Sequence, residues 1–207
     1  IGNTYAAELE EIIVTAQKRA ESLQDVPISM SAIDGSKIEE IGINSFQELT
    51  AYVPNLSITE NAVNTIIGMR GVGIGSNQSF EQSVGTYVDG IHYGKSRQIR
   101  TGLFDLQQVE VLRGPQGILF GKNTLAGAIN VTTASPQIGQ ETGGKIAVNK
   151  ESYGGQTVEG HLTGSLTDSL AWRFAYKDRE GDGHLKNTYP DTEVSLGPTT
   201  DEKMWRA

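Results

Sequence analysis

The last third of the chain alternates between apolar and polar residues with a period of two. In TVEGHLTGSLT (157–167), the apolar residues and two glycines share one face, and the polar residues share the other. In LAWRFAYK (170–177), a leucine and three aromatic residues lie opposite Arg and Lys. This period predicts two β-strands, joined by a turn at Asp168-Ser169. It suits strands of an outer-membrane barrel and one sheet of a soluble sandwich equally well.

Two short helices are predicted between residues 34 and 53. Ser36, followed three residues later by Glu39, has the spacing of a capping box, and Gly42 is expected to end the first helix. We expect both helices to be packing elements rather than parts of a site. The apolar stripe of the second helix comprises Phe46, Leu49, Tyr52 and Val53.

The middle of the chain predicts strands separated by turns. Its β-prone runs are LSIT, IIGMRGV, VGTYVDGIHYG, QQVEVLRG and GAINVTT. Asp89-Gly90 is typical of a hairpin turn, and the polar insertions at 73–83 and 94–100 are predicted to be flexible. In Val109–Val131, four glycines and a proline predict no helix, but a strand pair with close backbone contacts. The polar segment 134–144 has the composition of a linker, with a boundary near residue 136.

Composition narrows the classes of function. The chain has 207 residues, of which 25 are glycine, and a net charge of −8. The glycine content favours sheets and turns, and the lack of a basic stripe argues against nucleic-acid binding. Without cysteine there is no disulfide, thiolate metal site or Cys nucleophile. The chain has no apolar run of the ~18 residues that a membrane helix needs and opens without a signal peptide. This suits a soluble protein, a mature exported protein or a β-barrel.

No motif for catalysis, a cofactor or a metal is complete. GPQGILFGKNT resembles a phosphate loop, but three rather than four residues separate Gly117 from Gly121, and Asn123 follows the lysine. DREGDG (178–183) begins like a calcium loop, but Tyr189 stands where the ligand Glu is needed. The three histidines lie far apart in sequence. We therefore predict no enzyme, no cofactor and no metal site.

Four segments together resemble the TonB-dependent outer-membrane receptors. EIIVTAQKR (Glu11–Arg19) is similar to the TonB box of that family. IIGMRGVG (Ile66–Gly73) is similar to its IRG segment, with Met69 where Ile is more usual, and VGTYVDGIHYG matches the strand and turn that follow. The most distinctive match is FDLQQVEVLRGPQGILFGKNTLAGAINVTTASP (Phe104–Pro136), the signature that ends the plug domain.

The resemblance implies a fold in two parts. The first is an α+β plug domain with a small mixed sheet and short helices. The second is a set of antiparallel strands from a transmembrane β-barrel, which has about 22 strands in this family, so the chain would hold only the first of them. The implied boundaries are a flexible periplasmic tail with the TonB box at 1–19, the plug at 20–136, a linker at 137–144, and barrel strands with an extracellular loop at 145–207.

The resemblance also implies active transport across the outer membrane of a Gram-negative bacterium. The receptor would bind an extracellular small molecule, most commonly a ferric siderophore in this family, and import it with energy that TonB transmits from its inner-membrane complex. Outer-membrane lipid would surround the barrel, and the plug and tail would face the periplasm. Carbohydrate, cobalamin or haem uptake and non-transporting surface binding stay open as alternatives.

The implied sites fall into three groups. A β-prone segment without a partner strand suits strand addition, and the residues implied to bind TonB are Ile12, Ile13, Val14, Thr15 and Ala16. The side chains implied to contact the ligand at the plug apices are Ser76, Asn77, Phe80, Tyr93, Arg97 and Arg100. A polar network between plug and barrel is implied for Arg70, Glu110 and Arg113, because buried charges need partners.

Overall fold

The chain forms two compact units, one through Ala134 and one from Ser135. A computed structural model describes residues 12–15, 18–61, 64–74, 81–100, 102–150, 155–181, 185–186, 195–196 and 200–206. The strands of the first unit are β1 (Ile13–Val14), β2 (Glu21–Ser22), β3 (Met30–Asp34), β4 (Leu56–Glu60), β5 (Thr65–Met69), β6 (Val72–Gly73), β7 (Val84–Val88), β8 (Ile91–His92), β9 (Leu106–Arg113) and β10 (Gly127–Thr133). Its helices are α1 (Gly35–Ile41), α2 (Gly117–Phe120) and two 3-10 helices at Glu48–Ala51 and Ser96–Arg100.

A five-stranded mixed sheet, in the order β3-β9-β10-β7-β8, organises the first unit. Strands β10 and β7 run parallel, and the other neighbours are antiparallel. This confirms the predicted small mixed sheet. The predicted turn at Asp89-Gly90 joins β7 to β8, and both residues have the positive φ (49° and 78°) that a tight hairpin turn needs. The described strands of this unit also form the sheet β4-β5-β6 and the pair β1-β2.

The main hydrophobic core joins α1, the first 3-10 helix, β4 and β5 to one face of the five-stranded sheet. Burial of each large aliphatic side chain there contributes about 1.5–3 kcal/mol. Its fully buried members include Leu49, Ile67, Val109, Val111 and Ile129. A smaller cluster lies on the other face of the sheet and is formed by Tyr87, Leu112 and Ala128. Successive residues of a strand point to opposite faces, so β9 supplies side chains to both clusters.

Helix α1 begins earlier than predicted. Asp34, not Ser36, caps it, and Asp34 Oδ1 accepts the backbone N–H of Ser36 at 2.8 Å. Gly35 is the first helical residue, and a Cβ there would lie 1.9 Å from the carbonyl oxygen of Leu106 in β9. Close packing against the sheet therefore sets the start of the helix. Gly42 ends it with φ 71°, as predicted.

The second predicted helix is only a 3-10 helix at Glu48–Ala51. The hydroxyl of Ser45 accepts the backbone N–H of Glu48 at 3.4 Å, which begins the turn. Leu49 and Val53 are buried as predicted, but Tyr52 is 51% exposed. The predicted apolar stripe is thus right for the residues that reach the core and wrong for Tyr52, which follows the last 3-10 residue.

The segment Val109–Val131 contains the antiparallel pair β9-β10, as predicted. The expectation that it holds no helix is wrong, because Gly117–Phe120 makes a single α-helical turn, α2. Gly121 ends this turn with φ 81°, so the spacing of the glycines leaves room for one turn and no more. The predicted close backbone contact occurs at Gly127, where a Cβ would lie 2.3 Å from the carbonyl oxygen of Leu112.

The second unit is built on a four-stranded antiparallel sheet in the order β11-β12-β13-β16. Its strands are β11 (Gly143–Lys150), β12 (Gln156–Thr167), β13 (Leu170–Gly181), β14 (Leu185–Lys186), β15 (Ser195–Leu196) and β16 (Thr200–Arg206). The two strands predicted from alternation pair across the predicted turn at Asp168-Ser169. Strand β11 begins within the segment that was expected to be a linker, and β14 pairs with β15.

The two faces of this sheet differ in chemistry. One face is apolar and exposed, and it includes Ile146, Leu162, Leu166, Phe174 and Trp205. The other face is polar, and its buried members include Thr157, Thr163 and Lys177. On the polar face, Lys177 Nζ lies 3.1 Å from a carboxylate oxygen of Glu159, its neighbour across the β12-β13 pair. Burial of Lys177 is therefore compensated by an opposite charge.

Among the described residues, no helix combines the length and apolar content needed to cross a membrane.

Candidate functional site

The segment expected to bind TonB forms a short strand that already has a partner. Ile13 and Val14 pair antiparallel with Ser22 and Glu21 in β2. The expectation of a strand without a partner is therefore wrong. The return strand is only two residues long and polar, so it carries none of the β-propensity that identifies a strand in a sequence. Ala16 lies outside the described residues.

Further backbone hydrogen bonds hold this small hairpin. The backbone N–H of Leu23 donates to the carbonyl oxygen of Ile12 at 2.9 Å, and that of Lys18 donates to the carbonyl oxygen of Thr15 at 2.7 Å. The side chain of Val14 is only 1% exposed, whereas Ile13 is 46% exposed. The segment is thus docked through one side chain and leaves the next one at the surface.

A buried carboxylate connects this segment to the five-stranded sheet. Glu110, in the centre of β9, is fully buried. Its Oε1 accepts the backbone N–H of Thr15 at 2.5 Å and the side-chain N–H of Gln108 at 2.5 Å, and its Oε2 accepts from Asn130 at 2.7 Å. A buried carboxylate is costly unless hydrogen bonds compensate for lost water, and bonds to a charged acceptor are the strong ones. Neither Gln108 nor Asn130 was predicted as a site residue.

Arg70 and Arg113 lie on the side of the sheet opposite to Glu110. Arg113 is three residues from Glu110 in the same strand, so the two side chains point to opposite faces. The Arg113 guanidinium donates to the hydroxyls of Ser29 (2.9 Å) and Ser31. Burial and then the positive charge of Arg70 lower the pKa of Arg113. The structure therefore brings the two arginines together and separates them from Glu110.

The guanidinium of Arg113 is not fully satisfied. Its Nε is buried and has no hydrogen-bond partner among the described residues. Arg70, by contrast, is exposed, and its backbone at φ 53° donates an N–H to the carbonyl oxygen of Asn55 at 2.9 Å. A buried N–H without an acceptor is unfavourable, so this corner of the first unit suits an acceptor from outside the described residues.

The second predicted ligand-binding insertion is built differently from the expectation. Residues 94–100 were predicted to be flexible, but Ser96–Arg100 is a 3-10 helix anchored by Ile99, which is only 1% exposed. Arg100 donates to the hydroxyl of Thr65 at 2.9 Å and to the carbonyl oxygen of Asn61 at 2.5 Å. The single apolar residue in SRQIR was the available signal for this anchoring.

Two of the remaining ligand-binding candidates, Tyr93 and Arg97, are among the described residues. Arg97 is exposed, and Tyr93 is half-buried. The backbone N–H of Tyr93 donates to the carbonyl oxygen of Thr86 at 2.8 Å. Ser76, Asn77 and Phe80 lie outside the described residues.

A buried polar cluster supports the 3-10 helix and was not predicted. Gln82 is 7% exposed, and its side-chain amide donates to the carbonyl oxygen of Thr65 at 2.8 Å. The hydroxyl of Ser96 donates to the side-chain oxygen of Asn64 at 3.4 Å. These contacts link the start of β5 and the preceding Asn64 to both predicted insertions, because Gln82 belongs to one and Ser96 to the other. An isolated Gln or Asn in a polar segment gives no signal in the sequence.

A cavity of about 520 Å³ lies beside the Glu110 cluster. Its lining includes Thr15, Lys18, Tyr87, Phe120, Asn130 and Thr132. The hydroxyl of Tyr87 donates to the carbonyl oxygen of Phe120 at 2.5 Å, and burial raises the pKa of Tyr87. The cavity therefore lies between the segment expected to bind TonB, represented by Thr15, and Phe120 of α2.

Comparison with known proteins identifies the first unit. Residues 22–128 match the model of the TonB-dependent Receptor Plug Domain. The chain is 31% identical over 178 residues to the pesticin receptor of Yersinia pestis and 26% identical over 205 residues to an iron-regulated outer membrane virulence protein of Vibrio cholerae. These matches cover 83% and 89% of this chain, but only 26% and 30% of the relatives. The chain thus spans between a quarter and a third of their length.

Solved structures show the same fold. The crystal structure of the ferric yersiniabactin uptake receptor FyuA from Yersinia pestis superimposes with a TM-score of 0.71 at 29% identity, covering 82% of this chain and 27% of that one. The pyoverdine outer membrane receptor FpvA from Pseudomonas aeruginosa superimposes with a TM-score of 0.69 at 18% identity, covering 84% and 25%. The fold is therefore a plug domain followed by part of a barrel, which decides between the two interpretations of the alternating strands.

Proposed function

The chain belongs to the family of TonB-dependent receptors that carry this plug domain, and on that premise we propose that the whole protein is an outer-membrane active transporter of a Gram-negative bacterium. It binds an extracellular small molecule and imports it with energy that TonB transmits from its inner-membrane complex. In this layout residues 1–19 are its tail, 20–136 its plug, 137–144 its linker and 145–207 its first barrel strands, with the difference that β11 already begins at Gly143. The plug and the tail face the periplasm.

The observation that carries this proposal is the strand-forming segment ahead of a plug fold. Ile13 and Val14 adopt strand geometry, which is the conformation that another protein needs for strand addition. In that mode the main-chain hydrogen bonds supply affinity and alternate side chains supply specificity. We assign Ile12–Ala16 as the TonB-binding segment.

The apolar face of the second unit supports a membrane location. Leu162 and Phe174 are a directly opposed pair on that face, and both are about half exposed. Exposed apolar side chains over a whole sheet face are unfavourable in water and suit the lipid-facing side of a barrel strand. Outer-membrane lipid is therefore the partner that we propose for this face.

The proposed cargo is a ferric siderophore. Two of the similar structures are named as a ferric yersiniabactin uptake receptor and a pyoverdine receptor. The candidate contacts in this chain are Ser76, Asn77, Phe80, Tyr93, Arg97 and Arg100. Positive charge at a ligand site suits an anionic ligand, because bonds between guanidinium and carboxylate are strong. Arg97 is exposed at the surface of the first unit, and its substitution tests this assignment.

The corner around Arg113 is the proposed contact between the plug and barrel carboxylates. The unsatisfied Nε of Arg113 and the nearby charge of Arg70 support an acidic partner there. Glu110 faces the other way, so we place it in a different network.

The test of this function is energy-coupled uptake by cells that produce the full-length receptor. Cells with the wild-type protein should accumulate an iron-loaded siderophore only while the proton gradient is intact. Val14→Pro should reduce accumulation to background but leave surface binding of the siderophore unchanged, because proline removes a backbone donor from the strand. In parallel, a peptide spanning Glu8–Arg19 should bind the TonB C-terminal domain. Gradient-independent accumulation, or no peptide binding, would refute energy coupling through this segment.

A further inference from the structure

The ends of the two predicted insertions meet at one residue of β5. Gln82 lies near the end of the insertion 73–83, and its side-chain amide donates to the carbonyl oxygen of Thr65 at 2.8 Å. Arg100 ends the insertion 94–100, and its Nε donates to the hydroxyl of Thr65 at 2.9 Å. One threonine thus binds the first insertion through its backbone and the second through its side chain.

Thr65 is a fixed point of the first unit. It is fully buried and begins β5, which pairs antiparallel with β4. Ile67, two residues further along β5, is equally buried in the main core. Alternate side chains of a strand share a face, so the hydroxyl of Thr65 lies on the core side of β5. Close packing holds such a side chain in one rotamer, and a group bonded to the hydroxyl is held with it.

Each of the two anchors also reaches a second backbone group. The amide oxygen of Gln82 accepts the backbone N–H of Ile67 at 3.5 Å. The backbone groups of Thr65 and Ile67 point to the same edge of β5, so one side-chain amide serves both, as a neighbouring strand would. Arg100 donates to the carbonyl oxygen of Asn61, which follows β4, at 2.5 Å. Its guanidinium therefore ties the 3-10 helix to both strands of the β4-β5 pair.

We propose that Thr65 is a positioning residue for ligand binding, which locks the ends of the two insertions to a common point on β5. The inference rests on the proposed function, in which both insertions carry candidate ligand contacts. Arg100 then has a structural role in addition to its place among those candidates. A ligand that contacts both insertions binds more tightly when their positions are set in advance, because less order has to be created on binding.

The experiment uses the full-length receptor in vesicles of outer-membrane lipid. The probe is ferric yersiniabactin, which is the cargo named for the similar structure from Yersinia pestis. Three quantities are measured: the Kd of the probe, the number of binding sites per receptor, and the hydrogen-exchange rate of the Gln98 amide without the probe. The N–H of Gln98 donates to the carbonyl oxygen of Lys95 at 3.0 Å, so its exchange reports opening of the 3-10 helix.

Thr65→Val keeps the shape of the side chain and removes the hydroxyl. It should raise the exchange rate of the Gln98 amide about tenfold, because a hydrogen bond from a charged group is lost. It should raise the Kd about three- to tenfold, because the second insertion must then be ordered on binding. The number of binding sites should stay unchanged, which separates positioning from a loss of folded receptor.

Two variants control for the substitution itself. Thr65→Ser retains the hydroxyl and should restore both values. Thr86→Val should stay within twofold of wild type, because Thr86 is a buried threonine of the same unit whose hydroxyl has no hydrogen-bond partner among the described residues. A Thr65→Val receptor that also stays within twofold, or one that loses binding sites at an unchanged Kd, would overturn the proposal.

Two further variants keep the proposal testable if Thr65→Val prevents folding. Arg100→Gln should raise the exchange rate of the Gln98 amide about tenfold, and combining it with Thr65→Val should add little, because both changes remove the same bond. Gln82→Leu should raise this rate several-fold, since the two anchors share Thr65, and an unchanged rate would refute the common point. Failure of the wild-type receptor to bind the probe contradicts the proposed cargo, and the exchange rates then decide the role of Thr65 by themselves.

Discussion

Both units place apolar side chains on one face of their strands, but this face is buried in the first unit and exposed in the second. In the first unit, Val109, Val111 and Ile129 are completely buried in a core that the unit supplies itself. In the second unit, Leu166 and Trp205 stand on the apolar face and are 67% and 74% exposed. The difference shows that an apolar strand face indicates a surface that must be shielded from water. It does not indicate whether protein or another apolar medium shields that surface. The first unit is covered by its own helices and strands, and the second suits an external apolar medium.

One ion pair in each unit differs in burial, because Lys177–Glu159 in the second unit is buried and Lys122–Glu81 in the first is exposed. This comparison predicts the largest effect. Lys177→Met in the second unit leaves Glu159 without its ion-pair partner on the buried polar face. This should lower the free energy of unfolding by about 3–5 kcal/mol. Lys122→Met in the first unit removes an exposed ion pair with Glu81 and should cost under about 1 kcal/mol. Urea unfolding of the full-length receptor in lipid measures the first, and hydrogen exchange of the plug measures the second. Equal losses of unfolding free energy in the two variants would contradict the expected difference between a buried and an exposed ion pair.

The self-contained core of the first unit predicts the next effect. Ile129→Ala should lower the local unfolding free energy of the β9-β10 pair by about 2–5 kcal/mol, because it leaves a cavity in a close-packed core. Leu125→Ala is the control, since Leu125 is 76% exposed, and it should change that free energy by about 0.5 kcal/mol or less. Native-state hydrogen exchange of β9 and β10 in the whole receptor provides the measurement. If Ile129→Ala leaves the local unfolding free energy of the β9-β10 pair unchanged, the stability of this unit depends on its surroundings rather than on its own core.

The apolar face of the second unit predicts a dependence on depth in the membrane. Leu162 lies in the middle of β12, whereas Leu166 lies next to the turn at Asp168-Ser169. Leu162→Arg should destabilise the barrel in lipid by about 2–4 kcal/mol, and Leu166→Arg by about 0–1 kcal/mol, because the cost of a charge falls toward the interface. Folding into vesicles at a series of urea concentrations measures both. If both positions tolerate arginine equally, this face does not contact lipid.

The smallest effect concerns the start of α1. Asp34→Ala should lower the unfolding free energy of the plug by about 1 kcal/mol, because the N-cap hydrogen bond is lost. Ser36→Ala should leave it unchanged, since the Ser36 hydroxyl is not the cap. Hydrogen exchange of the α1 amides distinguishes the two, and a larger effect of Ser36→Ala would restore the capping box predicted from the sequence.

Some elements were predictable because their signals are local. The turn at Asp89-Gly90 needs two residues that tolerate positive φ, and this requirement is visible in the sequence. Gly42 ended its helix for the same reason. The pairing of Ile13 and Val14 with β2 was not predictable, because β2 has only two residues and both are polar. The Glu110 cluster was equally hidden, since Thr15 and Asn130 are far from Glu110 along the chain.

The sequence by itself determined the family, the strand-rich plug and the alternation of the second unit, because these depend on residue type, spacing and local backbone preference. Tertiary structure decided that Glu110 lies on the opposite face of the sheet from Arg113, that Gly35 begins α1 against β9, and that Ile13 and Val14 pair with β2. These features depend on contacts between residues that are distant in the chain, on the face of the sheet to which a side chain points, and on close packing of the backbone. Those relations exist only after the chain has folded.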